Sequence, residues 1–262
     1  MKDDKISIVS IIQARMSSSR LPGKVMLDIA GQPMLVHVVE RTRRAKTIDT
    51  VVVATTIDAS DDSIEALCAK RGYPCYRGSL FDVLDRYYQA ARAYQADVIV
   101  RITADCPLID PAVIDKTVNA FLGSQIAIPY DFAANRLPPP WGRTYPVGLD
   151  VEVCTFSSLA LAWSEAQLPH QREHVMPFFY DQPQRFRILH VNHPVDYGSL
   201  RWTVDTPQDL ELVRQIFLRM AGHQDFSWLD IIELFETEPE LARINAESKA
   251  KDYHLVDHRR DQ

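Results

Sequence analysis

A short, β-branched and almost unbroken apolar run, Ile6-Ser-Ile-Val-Ser-Ile-Ile12, leads directly into a polar loop. A strand with no polar face is covered on both sides, which is the position of a central strand in a parallel sheet. Runs of the same kind return at Val51-Val-Val-Ala-Thr-Thr56 and Asp97-Val-Ile-Val-Arg-Ile-Thr103, and Pro74-Cys-Tyr-Arg77 reads as a shorter one. Between them, apolar residues fall at helical spacing: Leu35, Val38, Val39 and Thr42 behind Pro33, then Ile64, Leu67 and Cys68, then Leu80, Val83, Leu84, Tyr87, Tyr88 and Ala91. This alternation predicts an α/β fold in three layers, a mostly parallel twisted sheet with helices on both faces, of the Rossmann-like kind. Ligands of such sheets bind at the carboxyl ends of the strands, so the loops after Ile12 and Thr103 are where a site is expected.

Farther along, Ile114, Val118 and Phe121 behind Pro111 predict a helix, and a strand is expected around 126–128. The stretch 131–146, with Pro138-Pro-Pro140 and no usable period, reads as a long loop or flap over the sheet. Gly148-Leu-Asp-Val-Glu-Val153, Phe186-Arg-Ile-Leu-His-Val191 and Leu200-Arg-Trp-Thr-Val204 read as strands, and 157–167 as a helix. A final helix begins near Asp205-Thr-Pro-Gln-Asp209. The expected organisation is one domain over 1–240, with an inserted flap or acceptor region around 131–200, and a polar tail over 241–262.

The chain has 262 residues and a formal net charge of -6, which argues against nucleic acid held by bulk attraction and leaves a small anion as the expected partner. Its four cysteines, Cys68, Cys75, Cys106 and Cys154, show no C-x-x-C spacing, so neither a zinc site nor a dithiol motif is indicated. No stretch reaches the roughly 18 apolar residues that span a bilayer, and the start of the chain does not read as a secretion signal. A cytoplasmic location without membrane contact is expected.

The loop Gln13-Ala-Arg-Met-Ser-Ser-Ser-Arg-Leu-Pro-Gly-Lys24 carries Arg15, Arg20 and Lys24 together with Ser17, Ser18, Ser19 and Gly23. Three cations, hydroxyls and free backbone N–H groups behind a buried strand suit an anion of triphosphate size, the alternative being a solvated basic loop. The Gly spacing of a Walker loop is absent. In Arg101-Ile-Thr-Ala-Asp-Cys-Pro-Leu108, Asp105 emerges just past a buried strand, where a carboxylate can bind a hard cation but serves equally as a turn former or helix cap. Asp205 also follows a predicted strand and competes with a role as helix cap. Strand alternation places Asp150 and Glu152 on one face, and Arg172-Glu173-His174 at an expected helix start offers groups for an acidic ligand or else belongs to a surface ion-pair helix, while Arg201 offers the same or simply flanks its strand.

The segment Ile12-Gln-Ala-Arg-Met-Ser-Ser-Ser-Arg-Leu-Pro-Gly-Lys24 resembles the amino-terminal signature of the sugar-acid cytidylyltransferases, the enzymes that make CMP-Kdo and CMP-sialic acid, in particular their spore-coat-polysaccharide type. The resemblance implies the nucleotide-diphospho-sugar transferase variant of the fold. It implies CTP phosphates on Arg15, Arg20 and Lys24, with Gln13, Ala14, Ser19, Thr103 and Ala104 around the nucleotide. The matching Asp-x-Pro-Leu and Val-Asp-x-x-x-Asp sequences imply Mg²⁺ on Asp105 and Asp205. Asp150, Glu152, Arg101, Arg172, Glu173, His174 and Arg201 then address a small acidic sugar-like acceptor. Many members are dimers, so a homodimer is a further implication, and surface polysaccharide or glycoconjugate synthesis is the expected setting.

The expected reaction is attack of an acceptor oxygen on the α-phosphate with loss of pyrophosphate, with Arg15, Lys24, Asp105 and Asp205 central to it. Two other classes compete. A glycosyltransferase of related architecture would use a nucleotide-sugar donor and an Asp-x-Asp motif, whereas Asp105 is followed by Cys106 and Pro107. A non-catalytic nucleotide-binding protein would keep the fold without both the basic loop and the two aspartates.

Overall fold

The computed structural model describes residues 5–125, 129–223, 225–249, 254, 256 and 257. The strand expected at 126–128 lies outside them. Eleven strands occur among the described residues. Seven make the main sheet: β1 (Ile8–Gln13), β4 (Thr50–Thr56), β5 (Cys75–Gly78), β6 (Val98–Thr103), β7 (Phe132–Ala134), β10 (Glu152–Thr155) and β11 (Ile188–His190). Two hairpins account for the others, β2 (Asp28–Ile29) with β3 (Gln32–Pro33) and β8 (Arg136–Leu137) with β9 (Gly142–Arg143). The main order is β11-β7-β10-β6-β1-β4-β5, parallel throughout except for β10, which runs antiparallel to both neighbours.

The unbroken apolar runs have their expected cause, since the sheet is packed on both faces. Along β1, Ile8 and Ile12 join one core while Val9 and Ile11 join the other, and Val51 and Val53 against Val52 and Ala54 divide in the same way on β4. The first core is closed by α1 (Met34–Arg43), α2 (Asp62–Arg71), α4 (Pro111–Ser124), α8 (Pro207–Arg219) and α9 (Trp228–Thr237). The second is closed by α3 (Val83–Ala93), α5 (Phe156–Glu165) and α7 (Pro177–Tyr180), and α6 (Pro169–His174) lies against α3 and α7.

Three expectations change. The segment 131–146 is not a flap: Phe132–Ala134 joins the sheet between β10 and β11, and the rest folds into the hairpin β8–β9. Its strand is three residues long and buried on both faces, so it carries neither length nor alternation to reveal it. The residues 200–204 form no sheet strand; they run extended, touch Val147 through a single bridge at Arg201, and donate the Val204 N–H to the Asp105 carbonyl at 2.8 Å. Finally, Arg172, Glu173 and His174 occupy the last turn of α6 rather than a helix start, because Pro169 takes the first helical position.

In the region 241–262, Leu241 and Asn245 are buried, and Asn245 donates to the Asp209 carboxylate at 2.8 Å and to the Arg201 carbonyl at 3.0 Å. None of the described helices is long and apolar enough to cross a membrane.

Candidate active site

β1 lies between β4 and β6 at the point where the winding of the sheet reverses, and Gln13 and Thr103 are register partners there. The loops that leave these two strand ends part from each other, which opens a crevice at that point. A cleft of about 360 Å³ occupies it.

The basic loop is held open by a carboxylate that sequence reasoning missed. Asp61, 1% exposed, accepts the Met16 backbone N–H at 2.7 Å, and its other oxygen accepts the Thr55 and Thr56 hydroxyls and the Thr56 N–H. Gly23, at φ +70°, then turns the chain so that Lys24 points inward.

Lys24 is the centre of the site. Its ammonium donates to Asp105 Oδ2 at 2.9 Å, to Asp205 Oδ1 at 2.8 Å and to the Val204 carbonyl at 2.8 Å, which engages all three protons. Burial lowers the Lys24 pKa, but the two carboxylates outweigh it and the value ends above the ordinary lysine value. Burial likewise raises Asp105, and the Lys24 charge and hydrogen bond overcome it and bring the carboxyl down to about 2. Asp105 and Asp205, a hundred positions apart in sequence, thus share one cation.

The helix-cap role that competed at both aspartates falls away, while Asp105 does stand in a turn. Asp105 sits in the turn after β6, and the α4 cap is Asp110. The α8 cap is Thr206, in a capping box with Asp209, which leaves Asp205 free of that duty. Asp209 is fully buried and accepts Arg201, Asn245 and the N–H groups of Asp205 and Thr206, a structural role. Gly148 permits this assembly: at φ +109° its missing Cβ would lie 2.6 Å from the Thr203 nitrogen.

Around this centre the cations are largely paired. Arg20 meets Asp205 at 2.7 Å and donates to the Lys249 carbonyl at 3.0 Å, and Arg201 meets Asp205 at 2.8 Å. Arg15 lies 3.3 Å from Asp257 and 3.8 Å from Glu173. Gln13, Ala14, Ser19, Thr103 and Ala104 line the same cleft, as do Glu173 and His174.

A side cavity of about 160 Å³ opens off it, with Asp150 and Glu152 both on its wall as strand alternation predicts. Glu152 is buried in an ion pair with Arg101, its register partner on β6, and Arg101 also donates to the Gln13 side chain. Asp150 takes a two-pronged contact from Arg143 at 2.7 and 3.2 Å. Arg172 stands apart from the cleft: it grips Asp82 and the Trp163 carbonyl and ties α6 to α3 and α5.

Three arginines of the cleft went unread in the sequence. Arg136 and Arg143 lie on the hairpin β8–β9, in a stretch whose sequence reads as a loop. Arg86 had a legible signal, being a charged residue one turn after Val83, beside the apolar stripe of α3.

The family model described as Cytidylyltransferase matches residues 9–221. The chain belongs to the cytidylyltransferase family. It is a CTP-dependent nucleotidyltransferase by that membership, which is the class that the resemblance implied.

Among relatives, the spore coat polysaccharide biosynthesis protein SpsF of Bacillus subtilis is 31% identical over 90% of this chain and 96% of its own length. A 3-deoxy-manno-octulosonate cytidylyltransferase of Anaeromyxobacter dehalogenans is 34% identical over 63% of this chain and 66% of its own. The solved structure of a cytidylyltransferase from Leptospira borgpetersenii superposes with a TM-score of 0.84 at 33% identity, over 95% of this chain and all of that one.

Proposed function

We propose that the protein transfers a cytidylyl group from CTP, with Mg²⁺, to a small acidic sugar-like acceptor and releases pyrophosphate, in the synthesis of a surface polysaccharide or glycoconjugate. The observation that carries the proposal is the Lys24 ammonium bridging Asp105 and Asp205 beneath the loop that bears Arg15 and Arg20. The names of the polysaccharide and octulosonate relatives support an acidic sugar as acceptor.

The donor set suits Mg²⁺, which is held by one or two carboxylates together with substrate phosphates. Asp105 and Asp205 provide hard oxygen atoms within reach of one shared cation, and Asp105 is ionised at any physiological pH. When bound there, the ion supplies positive charge to the phosphate oxygens.

The chain's own residues supply the rest. The acceptor hydroxyl gives its proton to solvent as its oxygen attacks the α-phosphorus in line, the bond to the β-phosphate breaks, and the pyrophosphate leaves with its charge offset by Arg15 and Arg20. Both arginines are already held at fixed positions by carboxylates and a carbonyl, so little rearrangement is needed when the phosphates replace them. Lys24 ties the two aspartates to one point and holds Asp105 in its ionised form. The side cavity receives the acceptor, with Arg136 facing its carboxylate and Asp150 its hydroxyl groups.

Purified protein given CTP, Mg²⁺ and a panel of sugar acids is expected to release pyrophosphate with at least one of them. Asp105→Asn is expected to reduce turnover by about a hundredfold or more. Neither CTP binding nor turnover with any acceptor would defeat the proposal.

A further inference from the structure

The two arginines of the basic loop share a feature that the reaction does not require: each is engaged by the carboxyl-terminal segment. Arg20 donates to the Lys249 carbonyl at 3.0 Å, and the neighbouring Ser248 hydroxyl lies 2.9 Å from that of Thr206. Arg15 lies 3.3 Å from the Asp257 carboxylate. The Asp257 N–H donates to Glu173 at 2.8 Å, which holds that carboxylate at the cleft that Arg15 and Glu173 both line. His254 rests on His170 of α6, with ring centroids 5.2 Å apart. One segment thus reaches both of the cations that would meet the triphosphate.

The Asp257 side chain is only 13% exposed, and together with Glu173 it gives Arg15 two negative partners. A triphosphate arriving at the same guanidinium meets both carboxylates at close range, and like charges there repel it. One of the two has to give way. Glu173 is part of α6, whereas Asp257 belongs to no helix or strand. Neither apolar core includes a described residue beyond Ile244, so the contacts above are polar ones made at the surface. Contacts of that kind open at little cost.

We propose that the carboxyl-terminal segment is an intramolecular competitor for the phosphates of CTP, with the Asp257 carboxylate standing in for a phosphate on Arg15 and the Lys249 carbonyl for another on Arg20. CTP enters by displacing these two groups, and they return to the arginines as pyrophosphate departs. The exchange keeps both guanidinium groups aimed at the cleft and lowers its affinity for polyphosphate, on the entering side and on the leaving side alike.

This inference rests on CTP as the donor nucleotide with its phosphates on Arg15 and Arg20, and it is tested by titrating the full chain with CTP and Mg²⁺, so no acceptor need be known. Asp257→Asn keeps the size of the side chain and the N–H to Glu173 but removes the charge; it is expected to bind CTP about two- to fivefold more tightly than the wild-type protein. Asp257→Glu, which keeps the charge, is expected to retain the wild-type affinity. Asp225→Asn removes one negative charge from a residue that pairs with Arg44 and does not line the cleft, and is expected to change nothing. Unaltered CTP affinity in Asp257→Asn overturns the inference and makes the contact a clasp of the fold. Weaker binding in that variant also overturns it, and makes Asp257 part of the nucleotide's own site. Equal tightening in Asp225→Asn or Asp257→Glu overturns it as well, the first because net charge alone then accounts for the gain, the second because the carboxylate charge does not. All of these outcomes leave cytidylyl transfer standing. Failure of the wild-type protein and every variant to bind CTP overturns cytidylyl transfer and this inference together.

Discussion

Lys24 has the environment of a lysine buried for a purpose: three acceptors, two of them carboxylate oxygens, and only 10% of its side chain exposed. The pH consequences follow from the direction of each shift. The Lys24 pKa is raised, so its contribution to stability is complete below the ordinary lysine value and is lost as pH rises through the folded value. The Asp105 pKa is depressed to about 2, so its contribution is complete above the ordinary aspartate value of about 3.9 and is lost as pH falls through 2. Acid unfolding of the wild-type protein is therefore expected to steepen below about pH 4, and Asp105→Asn to remove part of that slope. Circular dichroism at fixed temperature across pH 2–6 measures it; parallel curves for the two proteins would show that the pair contributes nothing. The size of the effect is modest, because a quarter of the Asp105 side chain is accessible and water screens the pair.

At the scale of elements, the site depends on how the basic loop is tethered to β4. Asp61 joins the Met16 N–H to the ends of β4 through Thr55 and Thr56, and a carboxylate can accept all four bonds because it has acceptors alone. Asp61→Asn places an NH₂ where one of those acceptors was and leaves a buried donor unpaired. A loss of about 1–3 kcal/mol is expected, with CTP binding weakened more than in a control that lowers stability equally elsewhere. Denaturant unfolding beside CTP titration checks this; unaltered CTP affinity would separate the tether from the loop's function.

The tether also marks the limit of what a sequence discloses. The basic loop, Asp105 and Asp205 were legible because each follows a buried apolar segment, and the parallel core was legible because β1, β4 and β6 are covered on both faces. Asp61 was not, since its partners are set by how a short 3-10 turn and the strand ends meet in space rather than by any period. Arg136 and Arg143 were hidden with their hairpin, whose strands of two residues carry no alternation. Arg172 has the composition of a ligand-binding group, but a partner ninety residues away, Asp82, claims it.

Over the whole molecule, the cleft is assembled from parts distant in sequence. The loop after β1, the turn after β6, the extended stretch before α8 and the described residues near the carboxyl end all meet there, and their cohesion is mutual: Arg20 touches Asp205 and Lys249, Asn245 touches Asp209 and Arg201, and Arg15 touches Asp257 and Glu173. A ligand that binds such a junction binds only the folded chain, so it stabilises the fold by mass action, by about 2.7 kcal/mol at a hundred times its dissociation constant. For a chain of this size that corresponds to a rise in melting temperature of roughly 5–10 °C. CTP with Mg²⁺ is expected to give that rise in a thermal-shift measurement, and CTP with EDTA a clearly smaller one, because the carboxylates would then face the phosphates without an ion between them. In Asn245→Ala the melting temperature without ligand should fall while the rise on adding CTP also shrinks, since Asn245 supports Asp209, which in turn orients Arg201 toward Asp205. If the melting temperature falls and the rise remains whole, the carboxyl-terminal residues stabilise the fold without shaping the cleft.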